Sequence, residues 1–188
     1  KSVAVTRVGG RLFELMPNGH IYGYDAKTGR VFTGGDFDPK PWNGRWEGFE
    51  PPKDVADEAR RKLNAAASPR FMAGDAAGDS LVLAFPQHDS VAWLDAKSGK
   101  WLGAVQGVPE LAGLTVLNDG TVLAISNEAV VSLSRQNPTP RVVIVAEELR
   151  CPWRVAVSAK SGDIFVAENS DLAGGASTQR HHQVKRFS

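Results

Sequence analysis

Short apolar runs of four to seven residues recur along the chain. Each is rich in Val, Ile, Leu or aromatic residues and is closed by Gly, Asn, Asp, Pro or Ser. Runs of this length with such boundaries predict β-strands. Taken in order they are 3–8, 11–16, 20–24 and 30–33; 70–74, 80–85, 90–94 and 100–105; 112–117, 121–126, 129–133 and 141–146; and 153–158, 163–168 and 183–187. Some alternate, and others, such as Leu81–Phe85, are apolar throughout. Strands of the second kind are expected where both faces of a sheet are covered. Asn118-Asp119-Gly120 and Ser161-Gly162 predict tight hairpin turns, because glycine tolerates the positive φ that such turns need.

The strands fall into a repeat. The turn before each second strand reads Gly10-Arg11-Leu12-Phe13, Asp79-Ser80-Leu81-Val82, Gly120-Thr121-Val122-Leu123 and Gly162-Asp163-Ile164-Phe165. The last three copies follow one another at intervals of 41 and 42 residues. Four antiparallel strands per 40–45 residues is the signature of a propeller blade. A β-sandwich is the other way to use evenly spaced strands, but it gives no reason for so constant an interval. The expected fold is therefore all-β: a β-propeller segment of about four four-stranded antiparallel blades, near 1–35, 69–107, 111–149 and 152–188, forming a single partial domain. In this fold the first strand of each blade lines the channel and the fourth lies outside.

Two segments break the period. Asp36–Ser68 separates the first two repeats. It opens on Pro39, Pro41, Trp42, Trp46, Phe49, Pro51 and Pro52, and then predicts a helix near 54–67, where Val55, Ala59 and Leu63 recur at helical spacing before Ser68-Pro69. Ser170–His181 is small and polar and predicts a loop. Because strands alternate in direction, both interruptions fall on one face of the disc. The opposite face has only tight turns.

Composition narrows the function. The net charge of +1 lacks the basic excess of a nucleic-acid surface. No apolar run is long enough to span a bilayer as a helix. Cys151 is the only cysteine, so no internal disulfide is expected. The chain opens on Lys1 and closes on a strand, which suggests a piece of a longer protein whose remaining blades are its first partners.

Asp163-Ile-Phe-Val-Ala-Glu168, followed by Gln183-Val-Lys-Arg-Phe187, resembles the NHL-type propeller repeat, with Glu168 where that repeat usually has Asp. Tyr24-Asp25-Ala26-Lys27-Thr28-Gly29 and Leu94-Asp95-Ala96-Lys97-Ser98-Gly99 look like the Asp-Ala-x-x-Gly turn of quinoprotein-like propellers. The resemblance implies further blades, a site on the elaborated face and an extracytoplasmic (periplasmic or secreted) setting.

Candidate chemistry collects on that face. His20, His88, His181 and His182 all fall at or beside a loop between second and third strands, with Asp89, Asn127, Glu128, Glu168 and Asn169. Such N and O donors suit a divalent cation such as Ca or Zn, although their spacing is not a ligand motif. Glu168, Asn169 and His181 are the metal candidates. Trp42, Trp46, Phe49, His88 and Asp89 are the candidates for binding a ligand or partner. Trp93, Trp101 and Trp153 are expected to pack between blades. There is no nucleophile elbow and no phosphate loop. The reading these residues favour is a binding module for a protein, peptide or glycan partner. The alternative is part of a metal-dependent lactonase- or lyase-like propeller enzyme with its site at the channel mouth. A quinoprotein-like oxidoreductase has only the Asp-Ala-Lys-x-Gly turns behind it.

Overall fold

A computed structural model describes residues 3–17, 21–31, 69–75, 77, 79–99, 101–169 and 182–188, with the backbone alone for Trp101 and His182. The expected helix near 54–67, the loop at 170–181, His20, Trp42, Trp46, Phe49 and His181 lie outside the described residues.

Four antiparallel sheets follow one another along the chain. Blade 1 contains β1 (Ala4–Val8), β2 (Arg11–Leu15) and β3 (Ile21–Asp25). A single bridge from Tyr24 to Val31 marks the start of its fourth position. Blade 2 contains β4 (Phe71–Asp75), β5 (Ser80–Phe85), β6 (Ser90–Asp95) and β7 (Trp101–Gln106). Blade 3 contains β8 (Gly113–Val116), β9 (Val122–Ser126), β10 (Ala129–Leu133) and β11 (Arg141–Ile144). Blade 4 contains β12 (Pro152–Val157), β13 (Ile164–Asn169) and β14 (His182–Phe187). Short 3₁₀ turns at Pro86–His88 and Ala146–Glu148 had no sequence forecast.

The sheets stand radially. The first strands pack side by side in the order β1, β4, β8, β12, as in a propeller and not in a two-layer sandwich. The core is correspondingly divided into three joints. Phe13, Leu15 and Ile21 of blade 1 meet Leu81, Leu83 and Phe85 of blade 2. The other face of the same strand, Val82 and Ala84, meets Val122 and Ala124 of blade 3. Leu123 and Ile125 then meet Val155 and Val166 of blade 4. A strand's successive side chains point to opposite faces, so each blade can glue two neighbours. This explains the unbroken apolar runs: β5 and β9 are buried at every position. In β2, buried Phe13 and Leu15 alternate with half-buried Leu12 and Glu14, because among the described residues only one face of blade 1 is covered.

Where first strands cross, side chains give way to backbone. A Cβ on Gly74 would lie 2.5 Å from the Arg7 carbonyl oxygen, and one on Gly113 would lie 2.9 Å from that of Trp153. Gly74→Ala therefore forces β4 away from β1. The expected cost is about 2 kcal/mol, as for other overpacked interiors, read as a lower midpoint in urea with an unchanged slope. A midpoint equal to that of the native chain would contradict this close approach.

The Asp-Ala-Lys-x-Gly turns form as matching units. Oδ1 of Asp25 accepts the N–H groups of Lys27 (2.9 Å) and Thr28 (2.7 Å) and the Thr28 hydroxyl (2.9 Å). Oδ1 of Asp95 accepts those of Lys97 (3.0 Å), Ser98 (2.6 Å) and the Ser98 hydroxyl (2.7 Å). The backbone hydrogen bonds from Thr28, then its hydroxyl, hold the Asp25 carboxyl below its ordinary value. For Asp95 the Ser98 hydroxyl is the leading cause of the same downward shift. Gly29 and Gly99 close the two turns at φ +68° and +69°. These aspartates are engaged within their own turns, so the motif here serves the fold.

Candidate channel-mouth site

β4, β8 and β12 all begin at the same end of the channel, on the face reached by the blade-to-blade connections. The described chain resumes at residue 69 on this face, and it leaves at Asn169 and resumes at His182 on the same face. Five of the six non-glycine residues with positive φ lie here among the described residues: Asp89, Glu110, Asn127, Glu128 and Cys151, with Asp79 alone on the tight-turn face. Left-handed backbone disfavours L side chains, and such conformations collect where a fold holds loops in set positions.

The connections are clasped to the strand ends. The Val108 N–H donates to the Asp89 carbonyl (2.8 Å). The Ser126 hydroxyl donates to the Pro109 carbonyl (2.6 Å). In the next blade Glu168 holds the equivalent place in the repeat and accepts the Arg150 N–H (2.7 Å). Its carboxylate also accepts the Gln183 side-chain amide and pairs with Lys185 (3.0 Å). Lys185 in turn donates to the Glu148 carbonyl (2.6 Å). Burial raises the Glu168 pKa, but the hydrogen bonds from Arg150, Lys185 and Gln183 outweigh it and the net shift is downward.

Of the residues singled out from sequence, the structure thus brings Glu168 together with protein donors. The Asn169 N–H bonds the Cys151 carbonyl (3.1 Å). His88 is half-buried in the 3₁₀ turn of blade 2 and Asp89 is exposed just after it. No group of three or more His, Cys, Asp or Glu residues is arranged to hold a metal among the described residues. Cys151 is a free thiol.

A different cluster occupies the mouth itself. The Arg154 guanidinium sits 4.9 Å from the Phe71 ring of blade 2 and 4.8 Å from the Trp153 ring. Its Nη1 donates to the carbonyls of Ala112 (3.1 Å) and Trp153 (3.0 Å). One cation therefore ties together the first strands of three blades. The cause is a bulge: the pairing of β12 with β13 slips between Pro152 and Arg154, and Trp153 leaves the sheet. The expectation that Trp153 packs between blades is corrected here, since it is 39% exposed. Trp93 does pack as expected, at 1%. The sequence pattern marks Trp153 only as a packing residue and does not single out Arg154, because a bulge leaves no mark on an alternating pattern. The Pro152 that starts the strand was the available signal.

No family model and no curated protein matches this chain. Solved structures do. Hydrazine synthase from Kuenenia stuttgartiensis matches over 97% of this chain and 45% of its own, at 16% identity and a TM-score of 0.62. The WD40 β-propeller domain of Doa1 matches over 88% of this chain and 47% of its own, at 13% identity and a TM-score of 0.54. The chain thus spans less than half the length of these structures. At such identities the likeness speaks for the fold alone: the chain is a segment of a β-propeller, with four antiparallel blades.

Proposed function

We propose that this propeller segment is a binding module whose working surface is the channel mouth, with Trp153 and Arg154 at its centre. The observation that carries the reading is the exposed Trp153 ring held against a guanidinium that is itself fixed by two carbonyls and Phe71. Tryptophan and arginine dominate binding hot spots, because each offers a large, rigid contact area together with directed hydrogen bonds. A peptide or glycan surface with a carboxylate beside an apolar or sugar ring face fits this chemistry. The loop residues Trp42, Trp46, Phe49, His88 and Asp89 belong to the same proposal as contributors on that face. The NHL-type affinity rests on the residues of Asp163–Glu168 and Gln183–Phe187, and the sides of blades 1 and 4 that are open among the described residues are seats for further blades.

The test is a peptide and glycan array probed with the native chain, Trp153→Ala, Arg154→Ala and, on the opposite face, Lys97→Ala. The expected result is one ligand class, bound at least about tenfold more weakly by the Trp153 and Arg154 variants and unchanged by Lys97→Ala. Binding that responds to Lys97 and ignores Trp153 would overturn the reading. Turnover of a lactone panel that depends on added Ca²⁺ or Zn²⁺ would put the metal-dependent enzyme in its place.

A further inference from the structure

We propose that the free face of blade 1 receives another propeller blade, and that this blade carries an arginine as the first residue of its second strand. The proposal rests on the reading of the open faces as blade seats, and it names the chemistry of the occupant.

The joint between blades 1 and 2 supplies the template. Blade 2 receives blade 1 on Met72, Leu81, Leu83, Ala92 and Leu94, each at most 7% exposed. Register places these as the cross-strand rows Met72–Leu83–Ala92 and Leu81–Leu94. The same rows on blade 1 are Val5–Glu14–Tyr22 and Arg7–Leu12–Tyr24. Val5, Leu12, Tyr22 and Tyr24 give this face its apolar surface, the exposed Arg7 donates to the Gly9 carbonyl of the turn that follows its strand (3.0 Å), and nothing lies on the face among the described residues: Val5 is 61% exposed. Its one acid is satisfied within the face, because the Tyr24 hydroxyl donates to Glu14 (2.8 Å).

The second element is polar. Arg11, the first residue of β2, reaches across the joint and donates from Nη1 to the carbonyls of Ala96 (3.2 Å) and Lys97 (3.3 Å). Those carbonyls belong to the Asp95–Gly99 turn of blade 2. Blade 1 has the same turn at Asp25–Gly29, closed by the same bonds, and its Ala26 and Lys27 carbonyls accept none among the described residues. Blade 2, with Ser80 in place of Arg11, is followed by a blade whose corresponding turn, Ser134–Asn137, lacks the Asp-Ala-Lys sequence. Arginine and turn therefore go together across a joint. A second copy of this chain does not fit: its blade 4 would bring Asp163 to that position, placing a carboxylate against two carbonyl oxygens.

A copy of residues 1–68 fused ahead of Lys1 supplies such a blade with its own connection. Tyr22→Phe and Tyr24→Phe in the added copy distinguish its peptides by mass. Hydroxyl-radical oxidation of the original Tyr22 and Tyr24 should fall about fivefold on fusion, and Arg11→Gln in the added copy should undo most of that protection. Protection that survives Arg11→Gln would leave the seat standing and overturn the arginine. No protection with either copy would overturn the seat. If the fusion fails to fold, the unfused chain decides the matter. Arg11→Gln there should speed peroxide oxidation of Met72 about fivefold, and an unchanged rate would overturn the arginine clamp.

Discussion

Trp93→Ala is expected to lower the unfolding free energy by about 3–5 kcal/mol, the range for removing a large aromatic from a packed interior. Trp93 is the largest fully buried side chain among the described residues, at 1% exposure. It packs with Val82, Ala84 and Val91 of its own sheet and with Val122, Ala124 and Leu133 of blade 3. The cavity left by alanine would open in a joint between two rigid sheets. Each sheet is held on its far side by another joint, so neither can collapse into the gap. In a propeller each blade touches only its neighbours, and stability is close to a sum of blade and joint contributions. Loss of one joint should therefore loosen blades 2 and 3 more than blade 1. Calorimetry should show a midpoint about 10 °C lower for a domain of this size, and hydrogen exchange should rise most in β5, β6 and β9. Trp93→Phe should recover about half of the loss. A decrease below about 1 kcal/mol for alanine would mean that this joint does not carry the fold.

The strands, the four blades and the inward turns were legible from sequence, because each depends on neighbouring residues. β9 and β10 were forecast to within one residue of their ends, and so was β5. Asp25 and Asp95 bond residues two and three positions away, so the turn is written in five consecutive letters. The face that each strand presents to each neighbour was implicit in the same pattern, as Leu81, Leu83 and Phe85 against Val82 and Ala84 show. The mouth was not legible. Arg154 finds Ala112 at a separation of 42 residues and Phe71 at a greater one, and only the assembled ring brings them together. Glu168 was legible as a residue of interest but not in its partners. Its place in the repeat, shared with Ser126, was the clue: both lie in the last two residues of a second strand, and both hold the incoming connection.

That shared role makes the second large prediction one of stability. Glu168 is 2% exposed and its two oxygens take the Arg150 N–H, the Gln183 amide and the Lys185 ammonium. Glu168→Ala would strand a partly buried ammonium and a backbone donor, at an expected cost of about 3 kcal/mol. Glu168→Gln keeps the shape but turns an amide toward groups that donate, and should cost about 2 kcal/mol. The pH dependence follows from the direction of the shift. The folded pKa lies below the ordinary value of 4.5, so the native state binds this proton less readily than the unfolded chain does. The contribution is fully present above about pH 4.5 and is lost as pH falls through the folded value. Asp25, Asp95, Asp119 and Asp163 are shifted the same way and add to the acid loss. Stability curves of the native chain and Glu168→Gln should therefore stay apart at pH 7 and converge only in acid, once pH has fallen through the lowered folded value. EDTA should leave the native midpoint unchanged, because the carboxylate is already satisfied by protein donors. A midpoint that falls in EDTA and returns with Ca²⁺ or Zn²⁺, and that does neither in Glu168→Gln, would make this clasp a metal ligand instead.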